Sequence, residues 1–130
     1  MLSFQFEKYF YTNMSTVRAS HILVKHTESR NPVSRRTGAQ ITLSKADARV
    51  ELEQIRATLA GKQGDLPEAF AQAALARSDC GSFRNGGDLG EFGRGAMQKA
   101  FEDGTYALQV GEMGGIVDSD SGLHIILRTA

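Results

Sequence analysis

The feature that most constrains this chain is a glycine-rich stretch from Ser78 to Phe101, which contains six of the fourteen glycines. Glycine at this density weakens helices and strands, so such a stretch is normally either a flexible connector or a backbone folded into tight turns around a site. Large apolar residues recur within it at Leu89, Phe92 and Met97. Because a connector has no need of apolar side chains at such intervals, we predict a turn-rich wall of a pocket.

The size and charge of the chain limit the kinds of site it can carry. A chain of 130 residues is expected to form one domain with a sizeable core. Its 15 basic and 15 acidic residues cancel, so no long-range field attracts nucleic acid or an anionic membrane, and neither is expected as a partner. One cysteine permits no internal disulfide, and no stretch approaches the roughly 20 apolar residues of a membrane span. Any anion site must therefore be a local cluster of cations.

Secondary-structure signals begin at Val17. We predict that residues 1–16 are a flexible N-terminal extension and that residues 17–130 form the domain. A run of β-favouring residues predicts the first strand over residues 17–26. A polar connection follows over residues 27–42, and an ordered connection of this length in a small domain tends to be functional.

Capping and periodicity signals predict helices in the middle of the chain. Ser44 is the expected N-cap of the first helix, with Asp47 three residues later. Asp65 is the expected N-cap of the second helix, with Glu68 completing a capping box. The later predicted elements are a short strand within residues 86–92, a helix over 98–108, and a hairpin with strands at 116–118 and 123–128. Strands at both ends with helices between them are typical of an α+β fold.

Six segments of the chain resemble the parvulins, a family of peptidyl-prolyl cis/trans isomerases, and most closely the phosphorylation-directed Pin-type branch. They are H-I-L-V-K-H from residue 21, S-R from 29, D-C-G-S from 79, G-G-D-L-G-E-F from 86, R-G-A-M-Q-K-A-F from 94 and D-S-G-L-H-I-I-L-R-T from 120. The resemblance implies a four-stranded antiparallel sheet flanked by about four helices, with the first and last strands adjacent at its centre. Relatives often carry a WW domain ahead of the catalytic domain. Because this chain contains no tryptophan, we expect the catalytic domain alone.

Prolyl isomerisation makes no bond, because it only twists a partial double bond against a barrier of about 18–20 kcal/mol. A catalyst has to bind the twisted amide better than either planar form. The twisted amide has less charge separation, so an apolar, water-poor pocket around the proline ring favours it. By resemblance, the residues that line this pocket are Leu89, Met97 and Phe101, with Gln98 beside them.

The resemblance also places Cys80 on the pocket floor near His21 and His124, with Ser121 completing a polar network. We expect the two histidines to share a hydrogen bond that fixes their tautomers, rather than to act as general acid or base. Two roles are open for Cys80: transient attack on the carbonyl carbon, or tuning of the polarity around the carbonyl without a bond to it. We favour tuning, because isomerisation gains nothing obligatory from a covalent intermediate.

No metal or other cofactor is expected. The three histidines lack the spacing of a known metal site, and His26 falls on the opposite face of the predicted strand from His21.

The Pin-type branch binds a phosphoserine or phosphothreonine before the proline, and a charge of about −1.5 to −2 requires several convergent cations. By resemblance, Lys25 and Arg30 are two members of this basic cluster. The family commonly has a second arginine next to the first, where this chain has Asn31. Arg35 or Arg36, in the same connection, is the candidate for the missing cation.

We therefore expect a monomeric isomerase, in the cytoplasm, the nucleus or both, that acts on phospho-Ser/Thr-Pro bonds in proteins. Three alternatives remain open. The first is a general folding isomerase without phosphate selectivity, and the second is a phosphopeptide-binding module with incidental catalysis. The third is a cysteine hydrolase built on Cys80 and His124.

Overall fold

A four-stranded antiparallel sheet holds the fold together. The computed structural model describes residues 16–130, so that residues 1–15 of the predicted extension lie outside the described residues. The strands, in chain order, are β1 (Val17–Val24), β2 (Asp88–Phe92), β3 (Val117–Ser119) and β4 (Gly122–Arg128). Their spatial order is β2-β1-β4-β3, and each neighbouring pair is antiparallel. The expected adjacency of the first and last strands is confirmed.

Alternating side chains on β1 face two different layers of the fold. Ile22 and Val24 face two helices, α1 (Lys45–Ala60) and α2 (Leu66–Arg77), and belong to the larger apolar core. Val17 and Ala19 face the other way, into a smaller apolar cluster that includes Phe101 of a third helix, α3 (Lys99–Tyr106). Both faces of β1 are thus covered, and His21 lies on the side of the smaller cluster because it is in phase with Ala19.

The starts of the two long helices differ in how they are capped. Ser44 Oγ accepts the backbone N–H of Asp47 at 3.1 Å, which confirms the predicted cap of α1. Asp65 occupies the N-cap position of α2, as predicted, but the predicted capping box is wrong because the Asp65 side chain makes no capping hydrogen bond. Asp65 ends a short 3₁₀ turn and has φ −129° and ψ 23°, whereas a capping residue normally has extended backbone that aims its side chain at the first helical turn.

Three α-helices and two short 3₁₀ helices, Gln63–Asp65 and Gly81–Asn85, flank the sheet within residues 16–130, where the resemblance implied about four helices. In the same part of the chain, no helix is long and apolar enough to span a bilayer.

The glycine-rich stretch turns back against β1, and one glycine shows why. Gly87 has φ +85°, and its carbonyl accepts the N–H of His21 at 2.9 Å. A Cβ atom at Gly87 would stand 2.3 Å from the carbonyl oxygen of His21. Only glycine allows both the left-handed conformation and this approach. The stretch therefore forms a wall beside the central strand, as the spacing of its apolar residues predicts.

Candidate active site

The pairing of β1 with β4 brings two histidines together on one face of the sheet. His21 is opposite Ile126, and Leu23 is opposite His124, so the histidines are diagonal neighbours. Their Nδ1 atoms lie 3.0 Å apart, and their ring centroids are 5.2 Å apart in a stacked arrangement. Each residue is only 4% exposed. One ring therefore donates an N–H to the other in a nearly dry environment.

Burial keeps both rings neutral at pH 7. It lowers the pKa of His21 from 6.5 to about 4. Burial, followed by the charge of His21, lowers the pKa of His124 well below its ordinary value. A neutral imidazole has one N–H and one lone pair, which is what a shared hydrogen bond requires. Rings with such low pKa values are poorly matched to general acid or base work at neutral pH.

A serine absent from the predicted site residues contacts the second histidine. Ser119 Oγ lies 2.6 Å from Nε2 of His124 and accepts the backbone N–H of Ser121 at 3.2 Å. Ser119 pairs with Gly122 across the hairpin and so shares the face of His124. The predicted hairpin strand stops at residue 118, one residue short of Ser119, and alternation along a single strand does not give the register across the turn.

The hairpin turn is tied to the start of α3 through one side-chain amide. Gln98 donates from Nε2 to Ser121 Oγ at 2.8 Å and accepts the N–H of Asp120 at Oε1 at 2.9 Å. Ser121 thus belongs to the polar network through Gln98 and Ser119. Gln98 immediately precedes α3, so these bonds fix the helix relative to β3 and β4.

Apolar side chains cover the histidine pair. Phe101, which is 4% exposed, meets both rings edge-on, with centroid distances of 5.3 Å to His21 and 5.0 Å to His124. Leu89 and Met97 are half-buried and pack on the same cluster. Phe92, which was not predicted as a pocket residue, lies 6.0 Å from Phe101 between ring centroids. The three predicted ring-pocket residues therefore belong to one apolar cluster, and Phe101 connects that cluster to the histidines.

The residues before the cysteine hold its backbone against β1. Asp79 donates its N–H to the carbonyl of Leu23 at 2.8 Å. Ser78 Oγ accepts the N–H of Leu23 at 3.0 Å and, more weakly, that of Cys80 at 3.5 Å. These bonds place Cys80 near Leu23, which is two residues after His21 on β1.

Cys80 and the basic residues share a small pocket of about 130 Å³. Its lining residues are Leu23, Lys25, Arg30, Asn31, Arg35, Cys80 and Ser121. The pocket therefore brings together Cys80 and three of the four candidate cations. Among the described residues, neither histidine lines this pocket, and nor does Arg36, whose Nε is buried.

The lysine of this cluster is held by backbone carbonyls. Lys25 is 5% exposed, and its Nζ donates to the carbonyl of Asn31 at 2.9 Å and of Val33 at 2.7 Å. Burial, and next the charge of Arg35, lower its pKa, while the charge of Asp79 acts in the opposite sense. An ammonium has three donors, so one N–H of Lys25 is left for another acceptor.

No group of three or more His, Cys, Asp or Glu side chains within residues 16–130 could hold a metal ion. His26 accepts the backbone N–H of Glu28 at Nδ1 at 3.1 Å. His26 therefore binds the backbone at the start of the connection that follows β1.

Comparison with known proteins gives consistent similarities. The family model of the rotamase, PPIC-type PPIase domain matches residues 21–130. The chain is 49% identical over 117 residues to peptidyl-prolyl cis-trans isomerase Pin1 of Arabidopsis thaliana, covering 88% of this chain and 95% of that protein. It is 45% identical over 124 residues to peptidyl-prolyl cis-trans isomerase ESS1 of Saccharomyces cerevisiae, covering 95% of this chain and 71% of that protein. The solution structure of TbPIN1 superposes with a TM-score of 0.78 at 49% identity, covering 89% of this chain and 98% of that one.

Proposed function

Because the chain belongs to the parvulin family of peptidyl-prolyl cis/trans isomerases, we propose that it acts preferentially on phosphoserine-proline and phosphothreonine-proline bonds in protein substrates. The isomerase class is that of the family. The preference for phosphate is supported by one observation above all, the convergence of Lys25, Arg30 and Arg35 on a single small pocket beside Cys80.

The apolar surface of Leu89, Met97 and Phe101 receives the proline ring. Removing water from the ring favours the twisted amide, because that form has less charge separation than the planar forms. The neutral histidine pair below Phe101 adds no net charge that would favour a planar amide. Binding energy is then directed to the transition state, which is the requirement for an increase in rate.

Cys80 tunes the polarity at the substrate carbonyl without forming a bond. It lines the same pocket as the basic residues and Ser121. We expect the residue before the proline to lie in this pocket. Rotation about an amide requires no nucleophile. The covalent alternative and the hydrolase alternative both require one.

The cation cluster is suited to a dianion. Arg35 stands close enough to Lys25 for its charge to lower the lysine pKa. An anion in the pocket relieves this repulsion. The carboxylate of Asp79, which also acts on Lys25, is already engaged by Arg77 at 3.1 Å and by the N–H of Lys25 at 2.9 Å. A phosphate oxygen can take the remaining Lys25 donor, while the two guanidinium groups offer forked donors.

Arg35, rather than Arg36, supplies the cation that the family commonly has at the position of Asn31. Its N–H donates to the carbonyl of Asp79 at 3.0 Å, and a Cβ atom at Gly81 would stand 3.7 Å from its Cδ. The Arg35 side chain thus runs along the backbone beside Cys80. Asn31 contributes through its carbonyl, which holds Lys25.

The test is proline isomer exchange, measured by NMR exchange spectroscopy in three peptides that differ only in phosphoserine, glutamate or alanine before proline. We expect the wild type to accelerate the phosphoserine peptide most strongly. Arg30→Ala and Arg35→Ala should each lower kcat/KM for that peptide by about tenfold or more, in line with a lost charge-assisted hydrogen bond. The alanine peptide should be little affected. Arg36→Ala is the matched control and should resemble the wild type.

Each alternative has a distinct outcome. Equal acceleration of all three peptides would identify a general isomerase. Tight binding of the phosphoserine peptide without acceleration would identify a binding module. Equal losses in the Arg35 and Arg36 variants would contradict the assignment of Arg35.

A further inference from the structure

A buried carboxylate is next in sequence to a residue of the ring pocket. Glu102 follows Phe101 on α3 and is 7% exposed. Its Oε1 accepts the N–H of Gly95 at 2.5 Å, and its Oε2 accepts Nη1 of Arg94 at 3.2 Å. A carboxylate is costly to bury unless it is paired and hydrogen-bonded. Both of its partners belong to the segment that joins β2 to α3.

That segment, residues 93–98, carries Met97. Gly95 has φ +89°, and Ala96 donates its N–H to the carbonyl of Gly93 at 3.4 Å, so the segment is a turn. On the far side of Met97, Gln98 is bound to the hairpin through both ends of its amide. Met97 is therefore flanked by two attachments, one at Gly95 and one at Gln98.

The arginine in this arrangement is held from a second side. The guanidinium carbon of Arg94 lies 4.0 Å from the ring centroid of Tyr106, which is on the same helix as Glu102. A cation over an aromatic face is attracted by the ring quadrupole. Arg94 thus joins the turn to α3 at both Glu102 and Tyr106, and the carboxylate supplies the counter-charge.

We propose that Glu102 is a positioning residue for isomerisation: its carboxylate holds Gly95 and Arg94, and thereby sets where Met97 stands in the ring pocket. The inference rests on the assignment of Met97 to that pocket, and it is independent of the preference for phosphate. Glu102 itself does not touch the substrate. It acts through the turn, and a small displacement of a side chain that positions the substrate lowers the rate steeply.

The neighbouring residue provides a matched control. Asp103 is also acidic and on α3, but its side chain is 53% exposed and its carboxylate lies 3.4 Å from Lys99 Nζ and 3.8 Å from Arg94 Nη1. Asp103→Asn removes an equal charge from nearly the same place without affecting the Gly95 bond. Glu102→Gln retains an acceptor for the Gly95 N–H, whereas Glu102→Ala removes that acceptor altogether.

The experiment measures kcat/KM on the alanine-proline and phosphoserine-proline peptides. We expect Glu102→Ala to lower kcat/KM about tenfold on both peptides, so that their ratio is unchanged. The kcat/KM of Glu102→Gln should fall by no more than about threefold, because the variant retains a neutral hydrogen bond to Gly95. Asp103→Asn should match the wild type. In the double variant Glu102→Ala/Met97→Ala, activity should be no lower than in Met97→Ala alone, because the same contact is already lost.

Multiplying losses in the double variant would overturn the inference, since Glu102 would then act independently of Met97. An equal loss in Asp103→Asn would also overturn it, because charge alone would explain the effect. Urea unfolding of each variant separates activity loss from unfolding. If Glu102→Ala does not fold, Glu102→Asp, which withdraws the carboxylate by one methylene, takes its place in the same cycle. The single and double variants can be compared on the alanine-proline peptide alone. The comparison therefore tests Glu102 even if the wild type shows no preference for phosphate.

Discussion

Acidification should destabilise this protein well above the pH at which carboxylates titrate, because of the buried histidine pair. In the unfolded chain, His21 takes up a proton as the pH falls through 6.5, whereas in the folded protein it does so only near 4. Between these values the unfolded state binds more protons, so stability is full above pH 6.5 and falls as the pH falls. His124 contributes in the same direction, since its pKa is also lowered by burial.

The magnitude follows from the difference between the two pKa values of His21. Each pKa unit corresponds to about 1.4 kcal/mol, so His21 alone should lower the free energy of unfolding by about 2 kcal/mol at pH 5 and about 3 kcal/mol at pH 4. That is a large part of the stability of a small domain, which is about 5–15 kcal/mol.

Urea unfolding at half-unit steps from pH 8 to pH 4 measures this loss. The comparison chain is the double variant His21→Leu/His124→Leu, which removes both partners and leaves apolar groups of similar size. His26, whose pKa burial also lowers, is present in both chains, so its contribution cancels. We expect the wild type to lose stability more steeply than the double variant between pH 6.5 and 5. Equal slopes would refute the view that the pair is held neutral by burial.

Three further predictions test the role of Cys80, the close packing of Gly87 against β1, and the attachment of the glycine-rich stretch to β1 through Asp79. Cys80→Asp should retain kcat/KM within about tenfold of the wild type in the isomer-exchange assay, because a polar group at the carbonyl does not have to be a nucleophile; complete loss in a folded variant would favour the covalent role. Gly87→Ala should lower the free energy of unfolding by at least about 3 kcal/mol, since backbone strain adds to the clash with His21, while Gly38→Ala, at φ +73° in open space, should cost only about 1 kcal/mol. Asp79→Ala should lower the free energy of unfolding by about 2 kcal/mol, because it leaves the buried N–H of Lys25 without its acceptor and removes a carboxylate that binds Arg77, which keeps its bond to Glu51; a change below about 1 kcal/mol in urea unfolding would contradict this.

Local sequence patterns determined much of the fold. Alternation in the first strand separates the side chains of Ile22 and Val24 from that of His21, and the cap at Ser44 marks the start of α1. Both signals rest on interactions within a few residues, which the sequence records directly. The segments resembling the parvulins add the order of the strands. Together, these sequence signals are enough to predict that His21 and His124 lie side by side.

Only the tertiary structure decided which neighbouring side chains meet the site. Ser119 rather than Ser121 contacts His124, because the hairpin register sets which hydroxyl faces the histidine. Arg35 rather than Arg36 lines the pocket beside Cys80, because the backbone hydrogen bond from Arg35 to Asp79 holds the long connection to the glycine-rich wall at this residue. The capping box expected at Asp65 fails for a local reason, because the preceding turn sets the backbone angles of Asp65. For the serines and the arginines, the sequence specified the residue types, and strand pairing and packing selected which candidate meets the site.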